Sequence, residues 1–280
     1  MKTVLVVANE TIGGRPLMEA VQKRGRERDD VRFVLCVPQT QPRAGYVVYD
    51  DTVFDAAQIR VDLAVGFVRS EGMEAVGEVG DPDPYAATMD AVREYEPDEI
   101  IISTLPESRS GWLRRDLVDR IRQASGLPVE HVIADLETDG LAVHITLAVA
   151  NRTASGDELL DALKDKAAKE PDKRERLFLV VVPREGGDGS ATRRAQTRLA
   201  LVLRRLRDAG LTASGMTGDP DPYTAIMNAV QAFRVDDIII STFAETKSGW
   251  LRADLIERVR DATGKVVEHV VHTDSTRATA

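Results

Sequence analysis

The sequence predicts an α/β protein built from two copies of one domain, each a five-stranded parallel sheet sandwiched by helices. Three observations carry this. Residues 80–133 and 218–271 align without a gap at an offset of 138, and 32 of the 54 positions are identical, so the chain is a tandem duplication. Within each copy, short apolar runs alternate with stretches of helical period. The central run Glu99-Ile-Ile-Ile-Ser103 shows no alternation of apolar and polar residues, as a strand buried on both faces requires.

Each element can be justified in chain order. Residues 3–8 are an apolar strand, 16–24 a helix and 31–37 a second strand, followed by a polar loop with Pro42 and Gly45. Residues 52–69 carry helical periodicity, and 75–79 make a short strand. In Gly80-Asp-Pro-Asp-Pro-Tyr85, Asp83 suits an N-cap and Pro84 the first helical position, while Gly80 suits a turn needing positive φ or close backbone approach. The helix over 84–95 places Tyr85, Met89 and Val92 on one face. After the strand 99–103 a fourth helix, striped by Leu113, Leu117, Ile121 and Ala124, ends at Gly126, and 129–133 is the fifth strand. The second copy repeats the order, with strands at 143–149, 177–182 and 212–216 and helices from Asp157 and Ala191.

The copies are placed at 1–138 and 139–280, with a frayed tail from about 275. The front halves match weakly, Val7-Ala-Asn-Glu-Thr11 against Val149-Ala-Asn-Arg-Thr153, whereas the rear halves are close. Uneven divergence implies a constraint on the rear half, from a packing surface or from a ligand site.

Composition narrows the function. The chain has 280 residues, of which 37 are Lys or Arg and 46 Asp or Glu, for a net charge of −9. An acidic chain without a basic block is a poor binder of nucleic acid. Neither residues 1–8 nor the run 141–150 is long enough for a signal peptide or a membrane span, so a cytoplasmic protein with no membrane association is expected. The single Cys36 excludes an internal disulfide and lies in an apolar run, as a buried inert thiol would.

In a parallel α/β sheet, ligands sit beyond the carboxyl ends of the strands. The strand ends here are Asn9, Pro38, Gly80 and Ser103-Thr104, with the mates Asn151, Pro183, Gly218 and Ser241-Thr242, identical in type between copies. The polar loop after the fourth strand adds Ser108, Ser110, Gly111 and Arg114, with the mates Thr246, Ser248, Gly249 and Arg252. Helix N–H groups there form a natural anion site. A cation in the first turn opposes the helix dipole, so Arg114 and Arg252 point either to a bound anion or to an ion pair with Glu107 and Glu245. Trp112 and Trp250 read as packing residues, and Asp116–Arg120 and Asp254–Arg258 as i,i+4 surface pairs. Gly186-Gly-Asp-Gly-Ser190 fits no phosphate-binding pattern and reads as a loop. His131 and His269 mark a sheet edge or an inter-copy contact rather than metal ligands. No nucleophile–base pair with supporting spacing is present, so no catalytic residue and no metal site is assigned.

Val-Ala-Asn after the first strand, Gly-Asp-Pro after the third and Ser-Gly before the last helix together resemble the universal stress protein family, in tandem and over essentially the whole chain. The resemblance implies a Rossmann-like sheet of order 3-2-1-4-5. It also implies a pseudo-symmetric pairing of the domains through their fifth strands, within the chain or in a further homo-oligomer, and a role in stress responses through ATP, AMP or protein partners. Nucleotide-binding members carry an Asp after the first strand and G-x2-G-x9-G-[ST] after the fourth. Here the first feature is Asn9 and Asn151, and the three glycine positions read Ser108, Gly111, Ile121 and Thr246, Gly249, Val259. A Cβ where backbone must approach phosphate obstructs the family's usual mode of binding. The expectation is a non-enzymatic tandem member with a degenerate or differently specialised site. The alternatives are an ATP- or AMP-binding member with at most slow hydrolysis, and a scaffold without a ligand.

Overall fold

The computed structural model describes residues 1–28, 30–39, 50–106, 116–169, 174–186, 189–244 and 254–272, the side chains of 50–54 excepted. The chain divides into two compact units, Met1–Val143 and His144–Ala280.

In the first unit the elements run β1 (Lys2–Val7), α1 (Arg15–Glu27), β2 (Val31–Pro38), α2 (Asp50–Ser70), β3 (Glu74–Gly80), α3 (Pro84–Tyr95), β4 (Glu99–Thr104), α4 (Leu117–Ser125) and β5 (Val129–Ile133). In the second they run β6 (His144–Ala150), α5 (Asp157–Ala167), β7 (Arg176–Pro183), α6 (Gly189–Asp208), β8 (Ala213–Gly218), α7 (Pro222–Ala232), β9 (Asp237–Phe243), α8 (Leu255–Thr263) and β10 (Val266–His272). Each sheet is wholly parallel, ordered β3-β2-β1-β4-β5 and β8-β7-β6-β9-β10. This is the α/β architecture and the 3-2-1-4-5 order expected from the sequence, present twice.

The pleat divides each central strand between two cores. Leu5, Val7, Val34, Cys36, Ile100 and Ile102 face α3 and α4 in the first unit. On the opposite face of the second sheet, Ala148, Phe178, Val180, Val182 and Ile239 meet α5 and α6. The Cys36 thiol has no exposed surface, and burial pushes its pKa far above the ordinary range, which makes it an inert core group.

Helix α3 shows how the strand ends are shaped. Asp83 accepts from Tyr85 N at 3.1 Å, the expected N-cap. Its innermost face is Pro84, Ala87, Thr88 and Ala91, with Tyr85 and Val92 on the flank. Small residues on that face let the helix lie close to the sheet. A Cβ on Gly80 would come within 2.6 Å of Ala87 Cβ and 2.9 Å of Cys36 Sγ. Gly218 stands equally close to Ala225. Close helix approach therefore accounts for both glycines, with neither at positive φ.

The paired reading of Asp116 with Arg120 is corrected. Asp116 has φ 49° and Asp254 φ 48°, outside the helices that begin at Leu117 and Leu255, so neither carboxylate lies on the helical face that an i,i+4 pair needs. Arg120 instead lies over the Tyr85 ring at 4.3 Å and Arg258 over Tyr223 at 4.3 Å.

Candidate functional site

At the carboxyl edge of the first sheet the expected residues interlock. Asn9, just beyond β1, donates from Nδ2 to the Pro38 carbonyl at 2.9 Å, and Gln39 N donates to Gly80 O at 3.2 Å. Thr11 Oγ1 donates to the Ser103 carbonyl at 3.2 Å, tying the turn after β1 to the end of β4. The second sheet repeats this bond, from Thr153 Oγ1 to Ser241 O at 3.0 Å. The hydroxyls of Ser103 and Ser241, buried at 1% and 2% exposure, have no hydrogen-bond partner among the described residues.

The neighbouring threonines define the roles of His131 and His269. Thr104 Oγ1 lies 2.9 Å from His131 Nε2, and Thr242 Oγ1 lies 2.8 Å from His269 Nε2. Thr242 also reaches the Phe243 carbonyl at 2.9 Å. With its single proton directed there, the hydroxyl accepts from His269 Nε2–H. Both histidines stand on an edge strand, as expected, and each also ties that strand to its neighbour at the ligand edge. Burial, aided by the Arg122 charge, lowers the His131 pKa, so the ring is neutral at pH 7.

Sequence reasoning missed the charged residues that α2 and α6 bring to the same edge. Arg198 Nη1 donates to Asn151 Oδ1 at 2.5 Å and to Glu185 Oε1 at 3.0 Å. Arg194 Nε meets the other oxygen of Glu185 at 3.3 Å. Burial opposes ionisation of Glu185, but the hydrogen bonds and charges of Arg198 and Arg194 prevail and hold its pKa below the usual range. The repeat mate of Arg198 is Arg60. Burial lowers the Arg60 pKa, and the nearby charge of Glu10 opposes that shift. The signal was present: continuing the offset of 138 upstream of Gly80 pairs Ala57 with Ala195, Gln58 with Gln196, Arg60 with Arg198 and Gly77 with Gly215.

Thus each unit supplies an arginine from its second helix to the end of its first strand. The acid that faces it differs. In the first unit it is Glu10, on the turn after β1; in the second that position is Arg152, and the acid is Glu185, after β7. Arg152 lies 5.5 Å from the centre of the Phe243 ring.

Of the residues expected at the site, Asn9, Pro38, Gly80, Ser103 and Thr104 gather at one sheet edge, and Asn151, Pro183, Gly218, Ser241 and Thr242 at the other. Ser108, Ser110, Gly111, Arg114, Thr246, Ser248, Gly249 and Arg252 lie outside the described residues. Among the described residues no three His, Cys, Asp or Glu side chains gather as a metal site, and no helix is long and apolar enough to cross a membrane.

The fold and its strand ends define a tandem pair of Rossmann-like α/β domains. No protein-family model and no curated protein sequence matches the chain. Solved structures similar to it include a universal stress protein from Archaeoglobus fulgidus DSM 4304, at 13% identity over 97% of each chain, with a TM-score of 0.36. A universal stress protein family protein from Arabidopsis thaliana with AMP bound matches at 13% identity over 49% of this chain and 95% of its own, with a TM-score of 0.35. A functionally unknown protein from Pseudomonas aeruginosa PAO1 matches at 15% identity over 97% of this chain and 92% of its own, with a TM-score of 0.30. Superpositions this loose carry no functional argument, and the reading that follows rests on the residues.

Proposed function

We propose that the chain is a non-enzymatic tandem universal stress protein that acts in a stress response by binding a ligand at the carboxyl ends of its strands. The observation that carries this reading is the repetition, at both sheet edges, of one arrangement. A threonine holds the serine carbonyl at the end of the fourth strand, the next threonine bonds a fifth-strand histidine, and the serine hydroxyl between them is buried without a partner among the described residues. Packing alone accounts for Gly80 and Gly218 but does not call for a buried polar hydroxyl in both copies, which costs about 1–3 kcal/mol when unsatisfied.

A second reading, an ATP- or AMP-binding protein with at most slow hydrolysis, draws support from Arg60 and Arg198. Each places a cation at a strand end where phosphate is bound in sheets of this class. The degenerate glycine pattern weighs against the family's usual mode of binding, so the nucleotide would be held differently here.

The test is to denature freshly purified protein, identify the released small molecules by mass spectrometry, and titrate the apo chain with ATP and AMP. A stoichiometric small molecule other than nucleotide supports the first reading, and stoichiometric nucleotide moves the second to the front. No ligand, and no binding at millimolar nucleotide, overturns both in favour of a scaffold. Phosphate release from ATP above background overturns the non-enzymatic part.

A further inference from the structure

The two copies have drifted apart in charge, and in opposite directions. Around the third strand and third helix, residues 72–98 of the first unit carry eight carboxylates and one arginine, a net charge of −7. Their mates, residues 210–236, carry three carboxylates and one arginine, a net charge of −2. The second helix and the connection before it differ the other way. Residues 184–210, which include α6, hold seven arginines and three carboxylates, for +4; residues 39–70, which include α2, hold three arginines and four carboxylates, for −1.

Helical period gathers the α6 arginines on one side. Arg193, Thr197, Ala200, Arg204 and Arg207 form an exposed stripe opposite the buried Ala195, Val202 and Leu206, with Leu201, 45% exposed, beside it. Among the described residues Arg193 and Arg207 make no ion pair, and Arg204 meets Asp208 at 3.8 Å. In the first unit the mates of Thr197 and Leu201 are Ile59 and Leu63, which are 1% and 6% exposed. Those positions are covered on α2 and open on α6.

The acidic face is as concentrated. Glu74 and Glu78 stand on the edge strand β3, and α3 packs against it with Asp90 and Glu94, one turn apart, exposed. Arg32 pairs with Glu74 at 3.6 Å and Arg93 pairs with Asp90, which leaves Glu78 and Glu94 without a salt bridge among the described residues. Tyr95 Oη donates to Glu78 at 3.1 Å. Burial, with the charges of Glu94 and Asp90 added, still lifts the Glu78 pKa above the ordinary carboxylate range. In the second unit the mates of Glu74, Glu78, Asp90 and Glu94 are Thr212, Met216, Asn228 and Ala232.

The two faces match in sign and in length. From Arg193 to Arg207 the stripe on α6 runs about 21 Å, and from Asp83 to Glu96 the acidic helix runs about 20 Å. We propose that the β3–α3 face of the first unit binds the α6 face of the second unit in another copy of this chain, with Asp90 and Glu94 against Arg193 and Arg204 and with Leu201 covered by the contact. Each copy carries one face of each kind, so two copies can make this contact twice. It is distinct from pairing through the fifth strands, because β3 and β8 are the sheet edges opposite β5 and β10. It does not depend on the reading of the strand ends as ligand-binding.

The test is sedimentation velocity of the full-length chain over a range of concentrations, at about 20 and about 300 mM salt. The parent is expected to associate at low salt, with an apparent dissociation constant roughly tenfold or more weaker at high salt. Arg193→Glu with Arg204→Glu, and separately Asp90→Lys with Glu94→Lys, are each expected to abolish association, since each sets like charges against one another. All four side chains are exposed, so both variants should melt close to the parent temperature. If a double variant melts early, the single substitutions Arg193→Glu and Glu94→Lys replace it. An equal mixture of the two variants is expected to associate again, because each reversed face then meets its opposite. A parent chain that stays monomeric at low salt and about 100 µM overturns the proposal. Association retained by either variant also overturns it and places the contact elsewhere, as on the fifth strands. Loss in both variants without recovery in the mixture overturns it too, since the faces then bind other surfaces, such as an unrelated acidic protein on α6, rather than each other.

Discussion

At the amino-terminal ends of the central strands the two units have built different ionic joints on the same scaffold. In the first, Glu99 at the start of β4 meets Arg28 Nη1 at 2.6 Å and Arg24 Nε at 3.4 Å, with Arg28 a third exposed. In the second, its mate Asp237 is enclosed by Arg176 at 2.9 Å, Lys166 at 3.1 Å and His144 at 3.4 Å, and these side chains are 7–12% exposed. Beside it, Arg174 pairs with Asp236 at 3.0 Å. At the opposite edge, by contrast, the Thr–Ser and Thr–His bonds coincide between units to within 0.2 Å. The joints away from the strand ends have been rebuilt freely, because many ion pairs satisfy the same strand start. The ends of the fourth and fifth strands have kept one solution in both copies.

The largest effect should come from breaking the buried joint. Asp237→Asn leaves Arg176 without its counter-charge and Lys166 with only the more exposed Glu268, and should cost about 3–5 kcal/mol. Glu99→Gln, where Arg24 keeps Glu27 and Glu130 and Arg28 is partly exposed, should cost less, about 2 kcal/mol. Urea unfolding of the two variants decides this, and equal losses would erase the distinction between the joints. The same pair predicts a pH dependence. Burial opposes ionisation of Asp237, but its bonds to Thr146, Lys166 and Arg176 prevail and depress its pKa below 3.8. The stability it contributes is therefore complete above the unfolded value and is lost as pH falls below about 4 through the folded one. Asp237→Asn should flatten that part of the acid-stability profile.

Next in size is a pair of glycines under the second helix of each unit. A Cβ on Gly215 would collide with the Val180 carbonyl, which is backbone, whereas one on Gly77 would meet chiefly the Val61 and Val65 methyls, at 2.5 and 2.7 Å. Gly215→Ala should cost about 2–3 kcal/mol and Gly77→Ala about 1 kcal/mol less, since methyl groups yield more readily than a strand. Thermal melts of the two proteins measure the difference.

Thr104→Val should remove about 1 kcal/mol, and Thr242→Val, which also loses the bond to the Phe243 carbonyl, no less. A smaller loss for Thr242→Val would mean that the matched geometry conceals different energetics. The smallest effect is expected at the exposed cations over tyrosine. Arg120→Met and Arg258→Met should cost about 0.5 kcal/mol each, equally, by chemical denaturation.

Much of this was readable from residue order, and the reason is locality. The isoleucine run of β4, the Asp-Pro cap of α3 and the glycine after α4 each act on neighbours within one turn or one strand, so composition and spacing suffice to place them. The duplication doubled every such signal. The Asp116–Arg120 reading failed because it assumed a helix already formed at residue 116, where the backbone is left-handed. Arg60, Glu185 and Arg198 were overlooked for a different reason. Each looks like an ordinary charge on a helix or loop until the chain is folded, and Glu185 meets Arg198 only because the β7–α6 connection and the α6 face turn toward the same strand end.

The sequence by itself determined the duplication, the alternation of strand and helix, and the identity of the residues at the strand ends. These depend on period and on contacts near in the chain. Which acid faces which arginine, which hydroxyl the fifth-strand histidine takes, and how deeply Asp237 is buried were decided only by the tertiary structure. Ion pairs and hydrogen bonds between distant segments depend on distances of a few ångströms, and packing of the whole sheet and its helices sets those distances.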